Sequence, residues 1–174
     1  MQFDGVRDNQ KITFAYGHAY RMVMGSQTER ENFLREFEQR PHTVTVARDG
    51  GLISSLSVWE NLILPVDYQG IKREKAITEV YNLLALCGLS EPTATQLIQR
   101  MPAELTLFEK RLVSFVRAML VEPESLVWDM PYDGLAAGEV DSMVGLQSLF
   151  HLRFPLRISV TLCFGNRMPD SMDD

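Results

Sequence analysis

The apolar positions of the chain fall into short strand-like runs separated by longer helical faces. KITFAY (11–16) and YRMVM (20–24) alternate or run apolar on either side of Gly17. They predict a short strand pair or a strand entering a turn. TERENFLREFEQR (28–40) carries Phe33, Leu34 and Phe37 at helical spacing, and Pro41 stops that helix. HTVTVA (42–47) is β-branched and reads as a buried strand, followed by an Asp49-Gly50-Gly51 turn. A mainly helical stretch comes next. Ala76, Ile77, Val80, Leu83, Leu84 and Cys87 line one helix face, which Gly88 ends. Phe108, Leu112, Phe115, Val116 and Met119 line a second long helix between Pro102 and Pro123. SLVWD (125–129) is a short apolar strand, residues Val140 to Phe150 form another helix, and RISVTLCF (157–164) is the last strand. The polar tail RMPDSMDD is expected to fray.

Strands alternating with helices predict an α/β fold with a mainly parallel sheet. In such a sheet a site forms beyond the carboxyl ends of the strands. Those ends are Gly25–Thr28, Ala47–Gly51, Asp129–Gly134 and Thr161–Gly165.

With 174 residues, 45% of them hydrophobic and 23% charged, the chain suits one folded domain. A net charge of −6 argues against a nucleic-acid or anionic-membrane surface. No apolar run reaches the roughly 20 residues that span a bilayer, and MQFDGVRDNQ lacks the shape of a signal peptide. Cys87 and Cys163 fit a reducing compartment, and His18, His42 and His151 show no metal-ligand spacing.

Three segments resemble ABC-transporter ATPases in the right order. RMPAELTLFEKRLVSFVRAMLVEPESLVWDMPYDGL (100–135) resembles the signature helix and Walker B strand. GGLISSLSVWENLILPV (50–66) resembles the segment after the Q-loop, most closely that of the ATPases of MCE-type lipid transporters. KITFAYGHAYRMVMG (11–25) resembles the strand, turn and strand before the P-loop. The resemblance implies a shortened P-loop NTPase-like core over 1–174, with a helical subdomain inserted at about 57–120. It places the strand at 157–162 between those at 20–24 and 125–129. It also finds little room for the β-hairpin usual after the first helix, or for the segment usual after the switch histidine.

The aligned chemistry departs from the family at each position that matters. From Gly25 the phosphate cradle reads GSQTERENF, with no internal glycines and Glu31 in place of lysine. A carboxylate about 4 Å from a phosphate costs on the order of 4 kcal/mol at an effective dielectric of 20. The Q-loop glutamine aligns with Arg48, and the signature Ser-Gly-Gly with Thr106, Leu107 and Phe108. Asp129 stands at the Walker B aspartate, but the catalytic glutamate aligns with Met130. Methionine cannot orient or deprotonate water. The D-loop aspartate aligns with Ala136 and the switch histidine with Leu162.

Each position also has a plain structural reading. Thr28-x-x-Glu31 and Ser26-x-x-Glu29 are both capping boxes that would close the first helix on itself. Asp129 reads as the cap of its own turn. Trp128 and Phe115 read as core, Tyr16 as strand packing, and Lys72-Arg73-Glu74-Lys75 as a solvated helix start.

The resemblance therefore implies a pseudo-ATPase without cofactor or metal: an ABC-type subunit with a structural or regulatory role in a membrane transporter, lipid transport included. It would sit on the cytoplasmic face of the membrane. Its partners would be a permease subunit and a second ATPase chain, as homodimer or heterodimer, and not nucleic acid. Arg48, Leu52, Ile53, Leu56 and Val58, with Trp59 beside them, are the expected walls of the permease groove. A stand-alone cytoplasmic binding or regulatory protein on the same scaffold is the alternative. An active ATPase would need a phosphate-binding group from elsewhere, such as Arg30 or Arg48.

Overall fold

The computed structural model describes residues 2–7, 10–68 and 73–165. Lys72 and the RMPDSMDD tail lie outside the described residues. Four strands form a parallel sheet in the order β3-β6-β5-β4: β3 (Ala19–Met24), β6 (Ile158–Phe164), β5 (Ser125–Asp129) and β4 (Thr43–Val46). Trp128 pairs with Val46 on one side and Thr161 on the other. Met22 pairs with Leu162. The α/β expectation holds, and the last strand lies between β3 and β5. All five residues of β5 are buried. That is why it reads as a continuous apolar run, as a strand covered on both faces should.

Of the two readings across Gly17, the strand entering a turn is the one that forms, and the strand pair is not. β2 (Gln10–Ala15) pairs antiparallel with β1 (Gln2–Arg7) as a separate two-stranded sheet. Gly17, at φ 80°, turns the chain out of this hairpin into β3. QFDGVR offers only Phe3 and Val6 as large apolar positions, too few to signal a strand.

The helix α1 (Gln27–Glu38) links β3 to β4. Between β4 and β5 come α2 (Val58–Tyr68), α3 (Arg73–Leu86), α4 (Glu91–Gln99), a 3-10 turn at Pro102–Glu104 and α5 (Leu107–Leu120). The last helix, α6 (Ala137–Arg153), returns the chain to β6.

The alternation of β5 divides the core. Leu126 and Trp128 join the helices α2 to α6 in one apolar cluster. Val127 joins Phe33 and Phe37 of α1, Met22 and Met24 of β3, and Val160 and Leu162 of β6 in a second. Within the first, Phe115 of α5 stacks on Trp128 at 5.2 Å between ring centroids, and both are fully buried. Tyr16 packs at the margin of the second cluster.

Candidate functional site

All four parallel strands end on one side of the sheet, and the candidate site is built there. The chain leaves β3 through Gly25 and starts α1 with Ser26 as its N-cap. The Ser26 hydroxyl accepts from the Glu29 N–H at 3.1 Å. The Glu29 carboxylate reaches back to accept from the Gly25 N–H at 2.6 Å. Of the two boxes in the sequence, Ser26-x-x-Glu29 therefore closes the helix. Glu31, at the lysine position of the resemblance, is exposed and accepts from the Gln27 side-chain amide at 2.8 Å. The Gly25 and Glu29 N–H groups, donors that would otherwise suit an anion, are taken by the chain's own side chains.

One turn into α1, Arg30 reaches the end of β5. Its Nε donates to Asp129 Oδ1 at 2.5 Å, and its Nη2 donates to Oδ2. The pair is largely buried, with side-chain exposures of 12% and 4%. The Arg48 N–H adds a longer bond to the same carboxylate at 3.4 Å. The hydrogen bond to Asp129 raises the Arg30 pKa above its ordinary value against the opposing pull of burial. Asp129 is therefore held by a side chain from a helix 99 positions away, and its reading as the cap of its own turn is corrected. That turn is closed by backbone, Asp133 N–H to Met130 O at 3.2 Å.

Next to Asp129 the surroundings become apolar. Met130 has φ 48°, donates its N–H to Leu162 O at 3.2 Å, and is 1% exposed. Leu162 is fully buried, and both side chains lie in the cluster beneath α1. The positions aligned with the catalytic glutamate and the switch histidine thus share one dry cluster.

The N-terminus of α5 repeats the device of α1. The Thr106 hydroxyl accepts from the Glu109 N–H at 3.1 Å, and the Glu109 carboxylate accepts from the Thr106 N–H at 2.7 Å. Burial pushes the Glu109 pKa up, but bonds from Arg100 and Thr106 outweigh it and hold the group below its usual range. Leu107 and Phe108 are half-buried, and a Cβ at Gly134 would lie 3.1 Å from Leu107 Cδ2. The signature position packs on its own chain.

These parts enclose a pocket of about 470 Å³, lined by Arg30, Arg48, Arg111, Asp129, Asp133 and Leu107 among others. Arg111 is the organiser that sequence reasoning missed. It is 1% exposed and donates to three carbonyls: Arg48 O at 2.7 Å, Pro131 O at 2.8 Å and Asp133 O at 2.8 Å. Burial lowers its pKa, and the carboxylate of Asp133 partly opposes that. One of two arginines beside the apolar stripe of α5 is the trace it leaves in the sequence. Gly50, at φ 89°, lets the loop after β4 approach α5, because a Cβ there would fall 2.8 Å from the Lys110 carbonyl.

The expected groove is smaller than its sequence suggests. Arg48 bridges to Asp133 at 3.0 Å with half of its side chain exposed. Ile53 is 43% exposed, and Leu52 and Leu56 are half-buried. Val58 is fully buried in the helical core, so its place in the groove wall is corrected. Trp59 also packs against that core. Asn61, another missed residue, is fully buried and moulds the loop. Its Oδ1 accepts from Ile53 N–H at 2.8 Å, and its amide donates to Ile53 O at 3.1 Å and to Leu56 O and Ser57 O at 3.0 Å.

Among the described residues no helix is long and apolar enough to cross a membrane, and no cluster of three or more His, Cys, Asp or Glu could hold a metal ion. No family model matches the chain. In sequence it is similar to the methionine import ATP-binding protein MetN of Vibrio cholerae, at 34% identity over 95 residues. That match takes in 55% of this chain and 26% of that protein. It is also 27% identical over 125 residues to MetN of Vibrio vulnificus, which takes in 72% of this chain and 34% of that one. The chain thus spans about a third or less of the length of these relatives. In structure it matches cbiO1 from Clostridium perfringens, described as part of the ABC transporter complex cbiONQ. The TM-score is 0.72 at 16% identity, over 90% of this chain and 70% of that one. The chain therefore has the α/β, P-loop NTPase fold of an ABC-transporter ATPase, and its relatives in sequence are ATP-binding proteins of import systems.

Proposed function

We propose that this chain is a catalytically inactive ABC ATPase-like subunit with a structural or regulatory role in a membrane transporter. The reading takes 1–174 as one such domain, with the helices of about 57–120 as its subdomain. The observation that carries it is the Arg30–Asp129 ion pair beside buried Met130 and Leu162. The Walker B carboxylate is already neutralised by a tethered guanidinium. Where water would be activated, the side chains are apolar and dry, which suits neither a general base nor a nucleophilic water. The self-capped starts of α1 and α5 support the same reading for both halves of a head-to-tail composite site. A partner ATPase would then not restore either half. Arg30 and Arg48, the candidate substitutes for a phosphate-binding lysine, are each paired with an aspartate.

The similarity to methionine import proteins supports an importer of small molecules as the setting. The GGLISSLSVWENLILPV segment supports a lipid-transport system. Both support a position on the inner face of the membrane against a permease subunit, and in this reading Ile53, Leu52 and Leu56 form the apolar contact with Arg48 beside it. The test has two parts. Phosphate release and calorimetric titration with magnesium-ATP should show neither turnover nor micromolar binding; either would refute the reading. The chain should also co-purify with a permease from membranes. A chain found only in the soluble fraction would favour the stand-alone alternative.

A further inference from the structure

Five charged residues around the pocket form one continuous network. Arg30 of α1 grips Asp129 at the end of β5. The Arg48 N–H, in the loop after β4, touches the same carboxylate. The Arg48 guanidinium crosses to Asp133, in the loop after β5. Arg111 of α5 binds the Arg48, Pro131 and Asp133 carbonyls, so it ties both loops to one helix. Each link is a group of this chain: Arg30 directs two donors at a carboxylate, Arg111 three at carbonyls, and half-exposed Arg48 one nitrogen at a carboxylate oxygen. Going beyond inactivity, we propose that this network is a built-in lock. It holds the loops at 47–51 and 130–134 in one arrangement that does not respond to nucleotide.

The physical argument is one of specificity over stability. A buried ion pair can often be replaced by a neutral pair of similar shape at little loss of overall stability. What it fixes is where the groups it joins must sit. Here the pair ties α1 to the end of β5, while Arg48 and Arg111 tie the loops at 47–51 and 130–134 to each other and to α5.

Hydrogen exchange read by mass spectrometry on the full chain tests the lock. The variant is Arg30→Met with Asp129→Asn, which removes both charges together, so that neither charge is left unpaired. Amides at 47–51 and 130–134 should exchange about tenfold faster, the scale expected for coupled contacts. Those of α3 and α4 should keep their wild-type rates. Unchanged loops, or exchange that rises evenly along the chain, would overturn the proposal. Arg48→Ala, which spares the buried pair, should loosen the same two loops to a smaller extent, and no change there also counts against it. Magnesium-ATP added to the wild type should leave these rates unaltered, and protection of the loops would overturn the lock. Phosphate release from the same samples bears on the proposed inactivity alone, and exchange of the loops in the variants bears on the lock alone.

Discussion

The first turns of α1 and α5 line the same pocket and are closed in the same way, yet they contribute opposite things to it. Each has a hydroxyl at the N-cap and a glutamate three residues on that returns to the backbone. Just inside, α1 presents Arg30, which pairs with a buried carboxylate, whereas α5 presents Leu107, which leans on Gly134. The capping device is local and interchangeable, and the next side chain decides whether a helix start is a charged bolt or an apolar wedge. The difference lies in what each faces: β5 ends in Asp129, and the loop opposite α5 presents a glycine.

Breaking the bolt should have the largest effect. Arg30→Met alone leaves Asp129 buried without its counter-ion and should cost about 3–5 kcal/mol. Chemical denaturation reads this directly. A loss under about 1 kcal/mol would place the pair with ordinary surface ion pairs.

The caps come next. Ser26→Ala and Thr106→Ala should each destabilise by about 0.5–2 kcal/mol. Thr28→Ala, which removes an exposed residue of the competing box, should stay within about 0.5 kcal/mol of wild type. Equal losses for Ser26→Ala and Thr28→Ala would mean that α1 exchanges between its two boxes.

The smallest effect sharpens the α5 side through pH. Glu109 has a folded pKa below its reference of 4.5. Its contribution is fully present above that reference and is lost as pH falls through the lowered folded value. Glu109→Gln should lower the unfolding midpoint modestly at pH 7, where that contribution is fully present, and flatten its decline below about pH 4.5. A decline as steep as wild type would assign the acid sensitivity to other carboxylates.

What the sequence made legible follows from range. SLVWD and RISVTLCF announced buried strands because both faces are covered, and the family resemblance supplied their order. The hairpin was missed because β1 has few apolar positions. Ser26 and Thr28 were indistinguishable because each stands three residues before a glutamate, and only the backbone decides which is the N-cap. The Arg30–Asp129 pair spans 99 positions, so nothing local foretold it, although both residues were under suspicion separately. Val58 looked like groove wall because apolar neighbours on a helix start do not say which of them faces inward. Arg111 and Asn61 were hidden for a related reason: each is a buried polar group whose partners are backbone groups, and the backbone leaves no mark in an amino-acid sequence.

The position of β6 has a consequence for how the protein is made. Ala19 pairs with Ser159, so β3 emerges from the ribosome about 140 residues before β6, its neighbour in the sheet among the described residues. At roughly 5–20 residues per second, that is a wait of about 7–28 s. β4 and β5 can pair earlier, but they and β3 remain two separate pieces until the keystone between them arrives. Through that interval the nascent chain carries Met22 and Met24 without the strand they will lie beside, joined late by Val127, which makes it a candidate client for ribosome-associated chaperones.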